Sequence, residues 1–169
     1  ETLFQRTAYA GMTAPEIPAG YGALKRDPHR ILDLPDGFEY RVLSWVGDRM
    51  DDGLLVPGAP DGMAAFAGQD GVTVLVRNHE LSPGSNDSGG FGRKLELLEQ
   101  LNTERLYDQG YGKTPALGGT TTVHFDTRTG EVKRQFMSLA GTTRNCAGGP
   151  TPWNSWLTCE ETVQKTDDI

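Results

Sequence analysis

The segment from Ala64 to Val76 limits the fold more than any other stretch. Ala64–Ala67 and Val72–Val76 flank the tetrad Gly68–Gln69–Asp70–Gly71. A glycine-bearing loop between two short apolar runs is the signal of an antiparallel hairpin. Branching at Cβ in Val72, Thr73, Val74 and Val76 restricts χ1 in a helix and favours extended backbone. Two strands alone are marginal in water, so a hairpin must bury one face against further structure. A second hairpin repeats the pattern, with Thr120–Phe125, the turn Asp126–Thr127–Arg128–Thr129–Gly130 and then Glu131–Leu139.

Composition agrees with this start. The chain has 22 glycines, 10 prolines and a hydrophobic fraction of 36%, so many turns separate short apolar runs and an all-β chain is expected. Phe38, Tyr40 and Val42 alternate after the turn signal Leu34–Pro35–Asp36–Gly37, which predicts a strand over Phe38–Val46. Trp156–Cys159 reads as another short strand. One surface helix is expected over Lys94–Tyr107, where Leu95, Leu98 and Leu101, with Leu97 beside them, form a stripe at helical spacing. Gly110 is its stop. Residues 1–33 read as an extended arm broken by Gly11, Pro15, Pro18, Gly20, Gly22 and Pro28. The expected organisation is that arm, then one β domain over 34–169 with a helical insertion near 93–109.

The net charge of −7 is offset by no basic stripe, which argues against a nucleic-acid partner. No apolar run is long enough to span a bilayer. The chain starts at Glu1, so it is expected to begin as a processed or trimmed product. Asp48, Asp51 and Asp52 lack the ordered spacing of a calcium loop and are expected to be a solvated loop.

Chemistry-bearing residues concentrate between Arg144 and Glu161. Gly148 and Gly149 follow Cys146 and free the backbone for positive φ, Pro150 and Pro152 stiffen the next turn, and Glu160 and Glu161 end the strand. A soft thiolate beside hard carboxylates is a metal donor set. Thiolate suits iron, zinc or copper, and carboxylate suits calcium, magnesium or ferric iron. Two plainer readings stand beside it: a Cys146–Cys159 disulfide and solvated glutamates. At the end of the first hairpin, Arg77–Asn78–His79–Glu80 closes a strand, and Asn78 and Glu80, two apart, share a face. The plainer reading there is a set of exposed polar residues. No serine sits in a convincing nucleophile elbow.

The run Asn145–Cys146–Ala147–Gly148–Gly149, through Thr151–Pro152–Trp153 to Thr158–Cys159–Glu160–Glu161, resembles the signature of the PhoX-type alkaline phosphatases. Asn78–His79–Glu80 resembles the tripeptide after an early strand in that family, and Leu34–Phe38 resembles the lead into its propeller. The resemblance implies a six-bladed β-propeller that hydrolyses phosphate monoesters at an iron and calcium cluster. It also implies export by the twin-arginine route to the periplasm or beyond. Carried onto this chain, it implies Cys146 as an iron ligand and Glu161 as a cluster ligand. Glu160 and Glu80 are implied as further metal ligands, and Asn78 as a substrate-binding residue. Such a cluster would polarise phosphate oxygens and supply the nucleophile.

The chain holds two to three blades of material, fewer than a closed propeller needs. It is therefore expected to be the N-terminal part of a longer polypeptide, with an incomplete active site. Its expected partners are phosphate monoesters and the rest of that polypeptide. Open strand edges permit self-association, and peripheral membrane contact is left open. Two other functions also stay open: a non-catalytic propeller-like scaffold, and a calcium-dependent lactonase-like hydrolase that needs no cysteine. If Glu161 meets metal beside Cys146, Cys159 is left as a small buried apolar residue, so the two cysteines are expected to be unbonded.

Overall fold

Both hairpins form where the turn chemistry places them, in a computed structural model that describes residues 20–110 and 114–163. Strand β1 (Pro60–Ala67) pairs antiparallel with β2 (Val72–His79), with Ala67 opposite Thr73 and Met63 opposite Arg77. Asp70 (φ 54°) and Gly71 (φ 82°) take the left-handed conformations that close the loop. Strands β3 (Gly118–Asp126) and β4 (Glu131–Thr142) form the second hairpin. Its turn is held by the Asp126 carboxylate, which accepts from the Arg128 and Thr129 amides. β2 also pairs with β3, so the four strands lie in the order β1-β2-β3-β4. Strands β5 (Asn145–Pro150) and β6 (Trp156–Glu160) form a separate two-stranded antiparallel sheet. The all-β expectation holds among the described residues.

The expected helix does not form. Over Lys94–Tyr107 the chain makes two short 3₁₀ turns, Leu98–Gln100 and Thr103–Arg105. Leu95 takes φ 59°, which no right-handed helix tolerates. Asn102 begins a new turn by accepting from the Glu104 amide. The leucine stripe is still used. Leu101 lies in the buried cluster with Leu54, Phe91, Leu117, Met137 and Ala140, and Leu95, Leu97 and Leu98 pack against it. Burial dictates the leucines, and two tight turns deliver them as well as a helix would.

The expected strand over Phe38–Val46 is also absent, because no partner strand flanks it among the described residues. Asp51 and Asp52 are not simply solvated. Their carboxylates accept from the Gln135 and Met137 amides of β4, which satisfies backbone donors on the outer strand of the sheet.

The chain divides into two units, residues 1–42 and 43–169. The arm expected over 1–33 lies mostly outside the described residues. From residue 20 onward the first unit is organised by Asp27. The Asp27 carboxylate accepts from the Tyr40 hydroxyl (2.6 Å) and from the amides of His29, Ile31 and Leu32. The Tyr40 bond first, and the amides after it, hold this carboxyl well below the usual carboxylate range. A depressed carboxylate stabilises the fold fully above its ordinary pKa of about 3.9 and loses that contribution as pH falls through the depressed value. Carboxyl ¹³C NMR should therefore find Asp27 titrating below ordinary aspartates. Tyr40→Phe should raise its midpoint, and an unchanged midpoint would mean the amides alone suffice.

Candidate metal centre

The antiparallel pairing of β1 and β2 places Pro60 opposite His79. Asp61 and Gly62 fall in the register shift between the Pro60–His79 and Met63–Arg77 pairs, across from Asn78, so Asp61 lies diagonally across from Glu80, two residues beyond Asn78. Strand β5 reaches the same place because residue 62 is glycine. A Cβ there would lie 2.7 Å from the Cys146 carbonyl oxygen and 3.3 Å from Asn78 Nδ2. Together these elements bring one carboxylate oxygen of Asp61, one of Glu80 and the Cys146 Sγ within 4.8 Å of one another. Gly62→Ala should lower stability by about 2 kcal/mol through overpacking as β5 is pushed away, read by thermal melting.

Asn78 holds this junction together. Its side chain is fully buried. Nδ2 donates to the carbonyls of Cys146 (2.8 Å) and Ala147 (3.0 Å). Oδ1 accepts from Trp156 Nε1 and Thr158 Oγ1, both at 2.8 Å. The amide's four positions are all used, so β5 and β6 are both fastened to β2. On the other face, His79 bonds the Gly58 carbonyl through Nδ1 and Thr121 Oγ1 through Nε2, each at 2.8 Å. A carbonyl only accepts, so Nδ1 carries the proton and Nε2 accepts from the Thr121 hydroxyl. Burial pushes His79 down to about 4 and keeps it neutral.

The electrostatics favour a cation. Burial pushes the Cys146 thiol up, and the negative charges of Asp61, Glu161 and Glu80 push it further. A positive ion among these groups would reverse that balance and favour the thiolate. Arg144, at φ 54°, places Nη2 3.5 Å from the Glu161 carboxylate and 3.7 Å from that of Glu80.

The residues singled out in the sequence thus separate. Cys146 and Glu80 meet, and Asp61, which reads as a turn residue, joins them. Glu161 lies close enough to act on the thiol but is bridged to Glu80 through Arg144. Glu160 turns elsewhere, with Oε1 accepting from the Thr143 amide at 2.6 Å. Asn78 is buried and spends its amide on the protein.

Cys146 and Cys159 are both free, and Cys159 is exposed rather than buried, because its side of β6 is uncovered. The expected positive φ at Gly148 and Gly149 falls instead on Arg144 and Asn154. Gly148 is needed for close approach, since a Cβ would lie 2.4 Å from both the Leu157 carbonyl and the Trp156 ring. The register of the first hairpin was the available signal for Asp61: counting outward from the loop brings it to the end of β2, diagonally across from Glu80.

One comparison bears on this arrangement. The family model described as alkaline phosphatase PhoX matches residues 19–168. No curated protein and no solved structure matches the chain.

Proposed function

The chain belongs to the alkaline phosphatase PhoX family, and on that premise we propose that it forms part of an exported, metal-dependent phosphomonoesterase. The observation that carries the proposal is the convergence of Asp61, Glu80 and Cys146. A thiol and two carboxylates on three different strands or strand ends have no common structural purpose, whereas a thiolate with carboxylates fits iron. Calcium takes six to eight oxygens, so it would draw on carboxylates around the triad, with Glu161 the nearest candidate. Iron and calcium are accordingly the proposed metals, held by Cys146, Glu80 and Asp61 with Glu161 beside them.

Bound there, the metals supply Lewis acidity toward phosphate oxygens. The chain's own residues set the geometry. Asn78 fixes the Cys146 carbonyl, the Gly62 backbone lets β5 approach, and Arg144 neutralises Glu80 and Glu161. We also read the β1-β2-β3-β4 sheet as one propeller blade, because a blade is a four-stranded antiparallel sheet. The β5–β6 hairpin would then begin the next. Family membership supports an exported location. No helix among the described residues is long and apolar enough to cross a membrane.

The test is turnover of a chromogenic phosphate ester by the metal-replete full-length protein, with and without chelator, alongside iron and calcium analysis. Turnover abolished by chelator and restored by metal is the expected result. Metal-replete protein that turns nothing over would overturn the reading.

A further inference from the structure

The face of β2 opposite Asn78 carries a cavity of about 300 Å³. Met63, Leu75 and Val123 form apolar walls, and Asp61 and Arg77 supply the charged groups. This composition, apolar walls with a few convergent polar groups, is that of a small-molecule site. Arg77 has an unusual position in it. Its Nη1 donates to Ser44 Oγ (3.3 Å) and its Nη2 to Thr121 Oγ1 (3.2 Å), both neutral hydroxyls. Its Nε is buried without a partner. Among the described residues no carboxylate forms an ion pair with it. A half-buried guanidinium without a counter-ion is costly, and its planar fork is shaped for a carboxylate or phosphate.

Asp61 lies both in the cavity wall and in the triad with Glu80 and Cys146. The cavity and the candidate metal centre are therefore neighbours that share a residue. We propose that this cavity is a substrate subsite, which receives the organic part of a phosphomonoester and pairs Arg77 with a second anionic group on it. The proposal rests on the phosphomonoesterase reading for the word substrate, but anion binding at Arg77 does not. The preferred ligand class is a phosphomonoester bearing a carboxylate or a second phosphate. Free Asp61 would repel such a group, and a cation held by the triad cancels that repulsion, so binding should strengthen with metal loading.

The experiment compares phenylphosphonate, 4-carboxyphenylphosphonate and benzene-1,4-diphosphonate as non-hydrolysable ligands of the metal-loaded protein, read by tryptophan fluorescence. A parallel assay measures kcat/KM for phenyl phosphate and 4-carboxyphenyl phosphate. Wild type should bind at least one doubly anionic ligand about 10-fold more tightly than phenylphosphonate, and the tighter of the two identifies the second group. Arg77→Gln should erase that preference while leaving phenylphosphonate within about 3-fold, and Arg77→Lys should restore part of it. Met63→Trp, at a position 56% exposed and directly across the strand pair from Arg77, keeps the guanidinium but narrows the cavity and should weaken every ligand that carries the ring. Thermal melts check that each variant folds. No preference in wild type, or a preference that survives in a folded Arg77→Gln, overturns the proposal. An Arg77-dependent preference without any turnover would keep the anion site and remove the phosphatase reading.

Discussion

Replacing Cys146 by Ser should abolish iron binding and phosphate-ester turnover while leaving the fold in place. Serine is nearly the same size, and Cys146 is only half-buried and unbonded to Cys159, so the stability change should stay within about 1 kcal/mol. The chemical change is much larger, because a hydroxyl at neutral pH does not offer the soft anion that a thiolate does. Losing an outer-shell partner of a metal ligand costs on the order of 10–100-fold in affinity, so losing the ligand should cost at least on the order of 100-fold. Iron-loaded wild type should show a thiolate-to-iron absorption band, and the variant should lack it. Cys159→Ser is the matched control, since that thiol is exposed and should change neither absorption nor turnover. Full activity and calcium dependence in Cys146→Ser would instead favour an oxygen-only donor set of the lactonase-like kind.

Where the sequence could be read, local chemistry and tertiary demand agree. The Gly68–Gln69–Asp70–Gly71 loop and the Asp126–Gly130 turn carry their geometry in a few residues, so both hairpins follow from the chain alone. Cys146 and Glu80 were visible because each stands in a distinctive run. Asp61 was visible only through register, which becomes usable once the hairpin is assigned. The missing helix and the missing strand have one cause, a periodicity that reports burial without reporting backbone. Leu95, Leu97, Leu98 and Leu101 do pack on or in the core, yet the chain reaches it through 3₁₀ turns and a left-handed Leu95. Phe38, Tyr40 and Val42 alternate, but a strand exists only where another strand accepts its hydrogen bonds. The glycines after Cys146 show a related ambiguity. Glycine marks either a positive φ or a close approach, and Gly148 is of the second kind.

Asn78 is the residue whose role is least legible from sequence, and its replacement should have the largest effect on stability. Leucine matches its size but neither donates nor accepts, so Asn78→Leu isolates hydrogen bonding from packing. The carbonyls of Cys146 and Ala147 lose their donor, and Trp156 Nε1 loses its acceptor. Thr158 Oγ1 keeps only its bond from Asn145 Nδ2. Each stranded buried group costs about 1–3 kcal/mol, reduced by whatever water the loosened junction admits, so a total of about 4 kcal/mol is expected. For a chain of this size that is a fall in Tm of roughly 8–16 °C. Asn78→Asp should be nearly as damaging, because a carboxylate would face two carbonyl oxygens with no proton to give them. The same contacts predict how function should fail. With β5 unfastened, Cys146 no longer sits beside Asp61 and Glu80, so metal content should fall while KM in the fraction that stays loaded is unchanged. An Asn78 variant with normal Tm, full metal and a raised KM would place this amide on the substrate instead.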